Sequence, residues 1–194
     1  MSNLLIDTFM KYTDLSNAEI SAIEGSMTVK CTGKGLYVLR DDETQPNSFF
    51  VLNGLVREYK LAMDEEVSTN FYAEGQWIIL LDDRNGDSTR VNLQCLEDTE
   101  LVVGNDEKGA KLFELHPRLE QVARRILEDL LVYQQAATRR FLLNTPEERY
   151  LDLLQDRRRL FQRVSQVHLS SYIGVKPESL SRIRKRVHDR LHTK

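Results

Sequence analysis

The sequence predicts an α+β protein: a strand-rich amino-terminal half, one long helix, and a small helical domain at the carboxyl end. Three observations predict it. Short apolar stretches alternate with polar or glycine turns from about residue 26 to 104. From Leu115 onward, apolar residues recur every three or four positions. The charge is divided: Arg157 to Lys194 holds 11 Lys/Arg against 2 Asp/Glu, a local +9, while residues 1–156 hold 16 against 28, or −12. A split of this size sets a basic tail that can meet a polyanion beside an acidic body that cannot.

The first element is a short helix over Asp14–Ile23. Ser16 is placed to cap it, with Glu19 three residues on, the pattern of a capping box. Eight short strands follow: Met27–Val29, Gly35–Leu39, Phe49–Leu52, Leu55–Leu61, Thr69–Tyr72, Trp77–Leu81, Thr89–Leu93 and Glu100–Val103. Strands at this spacing imply an antiparallel sandwich or barrel. Asn53-Gly54, between two apolar runs, predicts a two-residue hairpin, because both turn positions of such a hairpin need φ > 0.

After Gly109 the period becomes helical. Leu115, Leu119, Val122, Ile126, Leu130, Tyr133, Ala137 and Phe141 form one stripe on a helix of about thirty residues, about 45 Å long at 1.5 Å per residue. Such a helix has more stripe than a small domain covers, so a twin helix from a second copy is expected on it. The expected dimer contacts are Leu119, Val122, Ile126, Leu130, Tyr133 and Ala137. Thr145, Pro146 and Glu148 then read as the cap, first position and capping-box partner of a new helix. The expected division is 1–110 for the strand domain, 111–143 for the dimerisation helix and 144–194 for the last domain.

Several function classes are disfavoured. Cys31 and Cys95 lie far apart, too few for a cysteine-held cluster, and each reads as a buried, inert thiol. His116 precedes Pro117 and reads as a helix-start residue rather than a haem ligand. No nucleophile elbow, phosphate loop or metal-spaced histidine set occurs, so no enzyme is expected. The longest apolar run, Trp77 to Leu81, is far short of a membrane span, and the amino terminus lacks a leader pattern, so a cytoplasmic location is expected.

The stretch Ser165 to Arg186 carries the function. Two short helices joined by a tight turn need apolar inward positions, and Leu169, Ile173, Val175, Leu180 and Ile183 supply them. The crossing point must be small, and it is Ser170. The turn needs φ > 0, and Gly174 provides it; Pro177 suits the first turn of the second helix. Glu178, Ser179, Ser181 and Arg182 occupy the first turns, the part of a reading helix that enters a major groove. Arginine can donate in bidentate fashion to guanine, and a glutamate can accept from cytosine. Arg184, Lys185 and Arg186 follow, suited to phosphates.

This order of elements, and above all Glu178-Ser179-Leu180-Ser181-Arg182, resembles the Crp/Fnr family of bacterial regulators over nearly the whole chain. Phe49 to Arg57 is similar to the family's β-roll hairpin, and Leu96 to Leu101 to the strand near its end. The resemblance implies a cyclic-nucleotide-binding-like β-roll (jelly-roll-like), a long dimer helix and a winged-helix-like helix-turn-helix domain. It implies that Glu178, Ser181 and Arg182 read bases, and that a dimer reads a palindrome. Expected partners are double-stranded DNA, a second copy and RNA polymerase. The residues depart from the family where a nucleotide would sit. The Gly-Glu pair for the ribose is absent near Glu74-Gly75-Gln76. Asp87 precedes Ser88 where arginine is expected, and Asp82, Asp83 and Asp87 would repel a phosphate. No cofactor is expected, and cyclic AMP is not expected to bind. Lys176 stands at the second helix's cap, where Ser or Thr would be better. Only His188 to Lys194 remain for a β-wing. The other reading is a ligand-sensing β-roll whose last domain binds a protein partner instead of DNA.

Overall fold

The computed structural model describes residues 3–40, 48–80 and 91–192. Among the described residues, two short helices, α1 (Leu4–Met10) and α2 (Asn17–Ser26), precede eight strands: β1 (Val29–Thr32), β2 (Tyr37–Leu39), β3 (Ser48–Asn53), β4 (Val56–Ala62), β5 (Glu65–Tyr72), β6 (Trp77–Ile79), β7 (Asn92–Cys95) and β8 (Thr99–Val103). Then come α3 (Asp106–Leu115), α4 (Pro117–Leu143), α5 (Pro146–Asp156), α6 (Leu160–Arg163), α7 (Gln166–Ile173) and α8 (Pro177–His192). The chain packs as two compact units. One comprises Met1–Glu58 with Phe71–Tyr133, the other Tyr59–Asn70 with Gln134–Lys194.

The strands form two four-stranded sheets, in the orders β1-β8-β3-β6 and β2-β7-β4-β5. The expected strands occur with shifted ends: β1 starts two residues later and β7 three later than the sequence predicts. Leu81, Thr89 and Arg90 fall outside the described residues. Strand β3 shows why both cores exist. Phe49 and Val51 point into the core between the sheets, with Val38, Leu39, Ile78, Leu93 and Leu101. Phe50, on the opposite face, joins a second core with Val102 and helices α1, α2 and α4. Alternation with period two therefore puts apolar side chains on both faces of one strand.

Asn53-Gly54 is not a hairpin. Strands β3 and β4 lie in different sheets, and the pair turns the chain from one to the other. Only Gly54 of the pair has positive φ, +96°, and a Cβ there would lie 2.6 Å from the carbonyl oxygen of Asp98. Glycine is needed at a close crossing, which the sequence alone does not distinguish from a tight hairpin. The two-residue hairpin joins β4 to β5 at Met63-Asp64, both at positive φ (51° and 63°).

Both expected capping boxes form. The Ser16 N–H donates to Glu19 Oε2 at 2.8 Å, and the Thr145 N–H to Glu148 Oε2 at 2.7 Å, each with the reciprocal bond to the cap oxygen. Those backbone donors are the main reason both glutamates hold their carboxyls below the usual range. Cys95 is buried, and burial raises its thiol value. Cys31 is exposed on β1, contrary to the expectation of a buried thiol.

The long helix corrects the sequence reading most. Leu115 ends α3 and His116 stands at its C-terminal boundary, so the stripe begins only at Leu119. Leu119, Val122 and Ile126, expected at a dimer interface, are buried against Leu5, Ile6, Phe9, Phe50 and Val102 of their own chain. Leu130 packs on the same core. Tyr133 is exposed and Ala137 half-buried. Leu127 and Leu131, 50% and 59% accessible, form an exposed apolar strip in the middle of the helix, and Val132 beside them is exposed too. The strip lies about 100° around the helix, one residue step, from the buried set. Tyr12 also ties the amino-terminal segment to this helix: its hydroxyl donates to Asp129 Oδ2 at 2.7 Å.

Candidate nucleic-acid interface

The second unit holds the two-helix motif. Ser165 caps α7 by accepting from the His168 N–H at 3.2 Å. Gly174 ends it at φ 78°, ψ 39°. Its N–H donates to the Ser171 carbonyl at 3.0 Å, and the Val175 N–H donates to Ser170 at 2.9 Å, a Schellman closure. Leu169, Ser170, Ile173, Leu180 and Ile183 are buried as expected, and Val175 is half-buried. Ser170 keeps its hydroxyl satisfied on the Val167 carbonyl at 2.8 Å. Helix α8 runs on to His192, so no wing strand follows it among the described residues.

The structure sorts the expected reading residues. Glu178, Ser181, Arg182 and Lys185 are exposed and lie at positions i, i+3, i+4 and i+7, one face of α8. Arg184 is exposed on the other flank of the buried row Leu180, Ile183 and Val187. Ser179 is half-buried and lines a cleft against α5 together with Arg182, Arg186, Arg190 and Glu147. In that cleft Glu147 takes two guanidinium groups, Arg186 at 2.9 Å and Arg190 at 3.0 Å. Arg186 thus has an internal partner besides any phosphate. Ser181 is engaged too: its hydroxyl donates to the Pro177 carbonyl at 3.2 Å and accepts from the Gln166 amide.

Gln166 was not foreseen. Its amide also donates to the Pro177 carbonyl at 3.0 Å, so the first residue of α7 fixes the first turn of α8. No periodicity reveals such a cross-helix bond. Arg158 and Arg159 are exposed in the turn between α5 and α6, a basic addition visible in sequence only as charge. The Ser171 hydroxyl faces the β4–β5 hairpin. It accepts from the Ser68 N–H at 3.0 Å and donates to the Glu66 carbonyl at 3.2 Å.

Known structures share this architecture. The chain is similar to a CooA mutant from Carboxydothermus hydrogenoformans, with a TM-score of 0.68, 14% identity, and 97% of this chain and 85% of that one covered. It is also similar to FixK2 from Bradyrhizobium japonicum, with a TM-score of 0.68, 24% identity, and coverage of 84% and 85%. A third match is a putative transcriptional regulator of the Crp/Fnr family from Eubacterium rectale, with a TM-score of 0.66, 13% identity, and coverage of 95% and 88%. The fold is that of the Crp/Fnr regulators. No protein-family model and no curated sequence matches the chain. In the Crp/Fnr fold the double sheet is the β-roll, and α7 and α8 are the helix-turn-helix. No helix among the described residues is long and apolar enough to cross a membrane.

Proposed function

We propose that the chain is a homodimeric, sequence-specific DNA-binding transcription regulator of the Crp/Fnr type, not an enzyme, and that it works in the cytoplasm. The observation that carries this is the exposed face of α8, where Glu178, Ser181, Arg182 and Lys185 project from a turn closed by Gly174. Arg182 is assigned to a guanine edge and Glu178 to a cytosine amine. Arg184, Lys185 and the exposed Arg158 and Arg159 are assigned to phosphates, which set affinity and salt dependence but not sequence. Gln166 and Ser181 position the first turn. Leu127 and Leu131 supply the apolar seam for a second copy, and the twofold places two reading helices on half-sites about 10 base pairs apart. RNA polymerase is the further partner such a regulator would meet.

Cyclic AMP is not the effector in this proposal. Glu74 accepts from the Gly54 N–H at 3.1 Å, and Gln76 accepts from the Ala73 N–H at 2.8 Å. Both side chains beside Gly75 are thus turned onto their own backbone rather than offered to a ribose. The acidic residues Asp82, Asp83 and Asp87 lie outside the described residues.

Selection of duplexes from a random pool tests the proposal. A palindromic consensus, with affinity falling steeply as salt rises, is the expected result. Failure to retain any duplex at low salt overturns it.

A further inference from the structure

We infer that Glu147 is a built-in competitor for DNA phosphate: its carboxylate holds Arg186 and Arg190 as a backbone phosphate would, and so lowers affinity for every duplex without altering which bases are read. This rests on the DNA-binding reading above and names the residue that regulates its strength.

Arg182, Arg186 and Arg190 follow at four-residue steps on α8 and line one cleft against the start of α5. The row climbs about 6 Å per step. A major groove is about 12 Å wide and about 8.5 Å deep. A helix that seats Arg182 on a base edge therefore carries Arg186 and Arg190 out toward the phosphates of the groove wall. In the protein alone these two meet Glu147, one on each carboxylate oxygen: Arg186 on Oε2 at 2.9 Å and Arg190 on Oε1 at 3.0 Å. One anionic group taking two guanidiniums on separate oxygens is the arrangement a phosphate also offers. Glu147 is not what starts α5. That role belongs to Glu148, whose Oε2 accepts from the Thr145 N–H at 2.7 Å and the Thr145 hydroxyl at 2.8 Å.

Accessibility decides that the partners can exchange. The Arg186 and Arg190 side chains are 61% and 67% accessible, against 22% for Glu147. Ion pairs this exposed on the cation's side are weak, so a phosphate can displace the carboxylate at small cost. The displaced carboxylate then faces the strand, like charge against like. Phosphate contacts supply the sequence-independent part of affinity, so the penalty falls alike on matched and unmatched duplexes.

Equilibrium titration of the full chain with a random-sequence duplex of about 20 base pairs, between about 50 and 200 mM salt, tests this. Glu147→Gln should bind about two- to twentyfold tighter at low salt, the combined worth of two exposed ion pairs. One negative charge fewer at the contact should also steepen the slope of log affinity against log salt by about 0.9. The profile of selected duplexes should not change. In a chain already carrying Arg186→Gln and Arg190→Gln, the same substitution should gain less than about twofold. Glu147→Ala serves if circular dichroism shows that Glu147→Gln does not fold. Weaker binding by the variant would make Glu147 a strut and overturns the inference. So does a gain of the same size without the two arginines, which would mark a diffuse charge effect, or a changed base preference. A parent chain that binds while Glu147→Gln gains nothing overturns this inference alone; a parent that retains no duplex at low salt overturns the DNA-binding reading and this inference with it.

Discussion

The rotation of the exposed face on α4 makes a paired prediction. Leu119 is fully buried in its own chain, whereas Leu131 is 59% accessible. Leu119→Ala removes three carbons from a core shared with Phe9, Phe50 and Val102, which leaves a cavity that the sheet cannot fill. That change should cost about 3–5 kcal/mol, or roughly 6–20 °C in Tm for a chain of this size. It should leave self-association unchanged. Leu131→Asp should do the reverse. An unpaired carboxylate in an apolar seam is avoided by dissociation, so the proposed dimer should weaken at least about a hundredfold, or about 2.8 kcal/mol. Sedimentation velocity over a range of concentrations reads the association. Tm at matched concentration reads the fold, and the Tm of Leu131→Asp should no longer depend on concentration. Should Leu119→Ala dissociate the dimer at unchanged Tm, or Leu131→Asp sediment like the parent, the assignment of faces is refuted.

Arg182→Ala should cost about 1–3 kcal/mol in DNA affinity and relax preference at one base position, visible in a selected-duplex profile; an unaltered profile removes Arg182 from base reading. Gly174→Ala places a Cβ at φ 78°, 3.4 Å from the Phe141 ring, and should destabilise the second unit by about 1–2 kcal/mol in urea titration. Glu148 has its carboxyl held below the usual 4.5, first by the Thr145 N–H. A value depressed in the folded state contributes stability above the unfolded value, and that stability is lost as pH falls through the folded one. Glu148→Gln should therefore flatten the acid limb of stability below pH 4.5 while leaving its shape at neutral pH, as followed by urea midpoints. Cyclic AMP should leave Tm unmoved in differential scanning fluorimetry; a rise of several degrees would contradict the placement of Glu74 and Gln76.

Much of the fold was legible because its signals are local. Each capping box needs only a hydroxyl and a glutamate three residues apart, and Ser16–Glu19 and Thr145–Glu148 both form as the sequence implies. The helix-turn-helix is equally local, since Gly174 and the apolar set from Leu169 to Ile183 fix it within twenty residues. The misreadings arose where a pattern has two tertiary solutions. Asn53-Gly54 satisfies a hairpin and a sheet-to-sheet corner alike, and only the distant Asp98–Thr99 backbone decides. Met63-Asp64, the real hairpin tip, carries no glycine to announce it. Periodicity picked the stripe Leu119–Val122–Ile126 correctly but could not say whose surface it covers. Helix α1 escaped notice because seven residues are too few for a period to emerge. Sequence placed all seven residues proposed for DNA contact on one helix; which of them face outward together, and which are tied to Glu147 or Gln166, needed coordinates.

The bonds between the hairpin and Ser171 have an evolutionary corollary. On the strand side both partners are main-chain atoms, the Ser68 N–H and the Glu66 C=O. Mutational drift at positions 66 and 68 can thus proceed without erasing those two bonds. The whole constraint rests on one hydroxyl, for which threonine is the nearest replacement that keeps both a donor and an acceptor. At this junction the hairpin is held through its main chain and the helix through a single side chain.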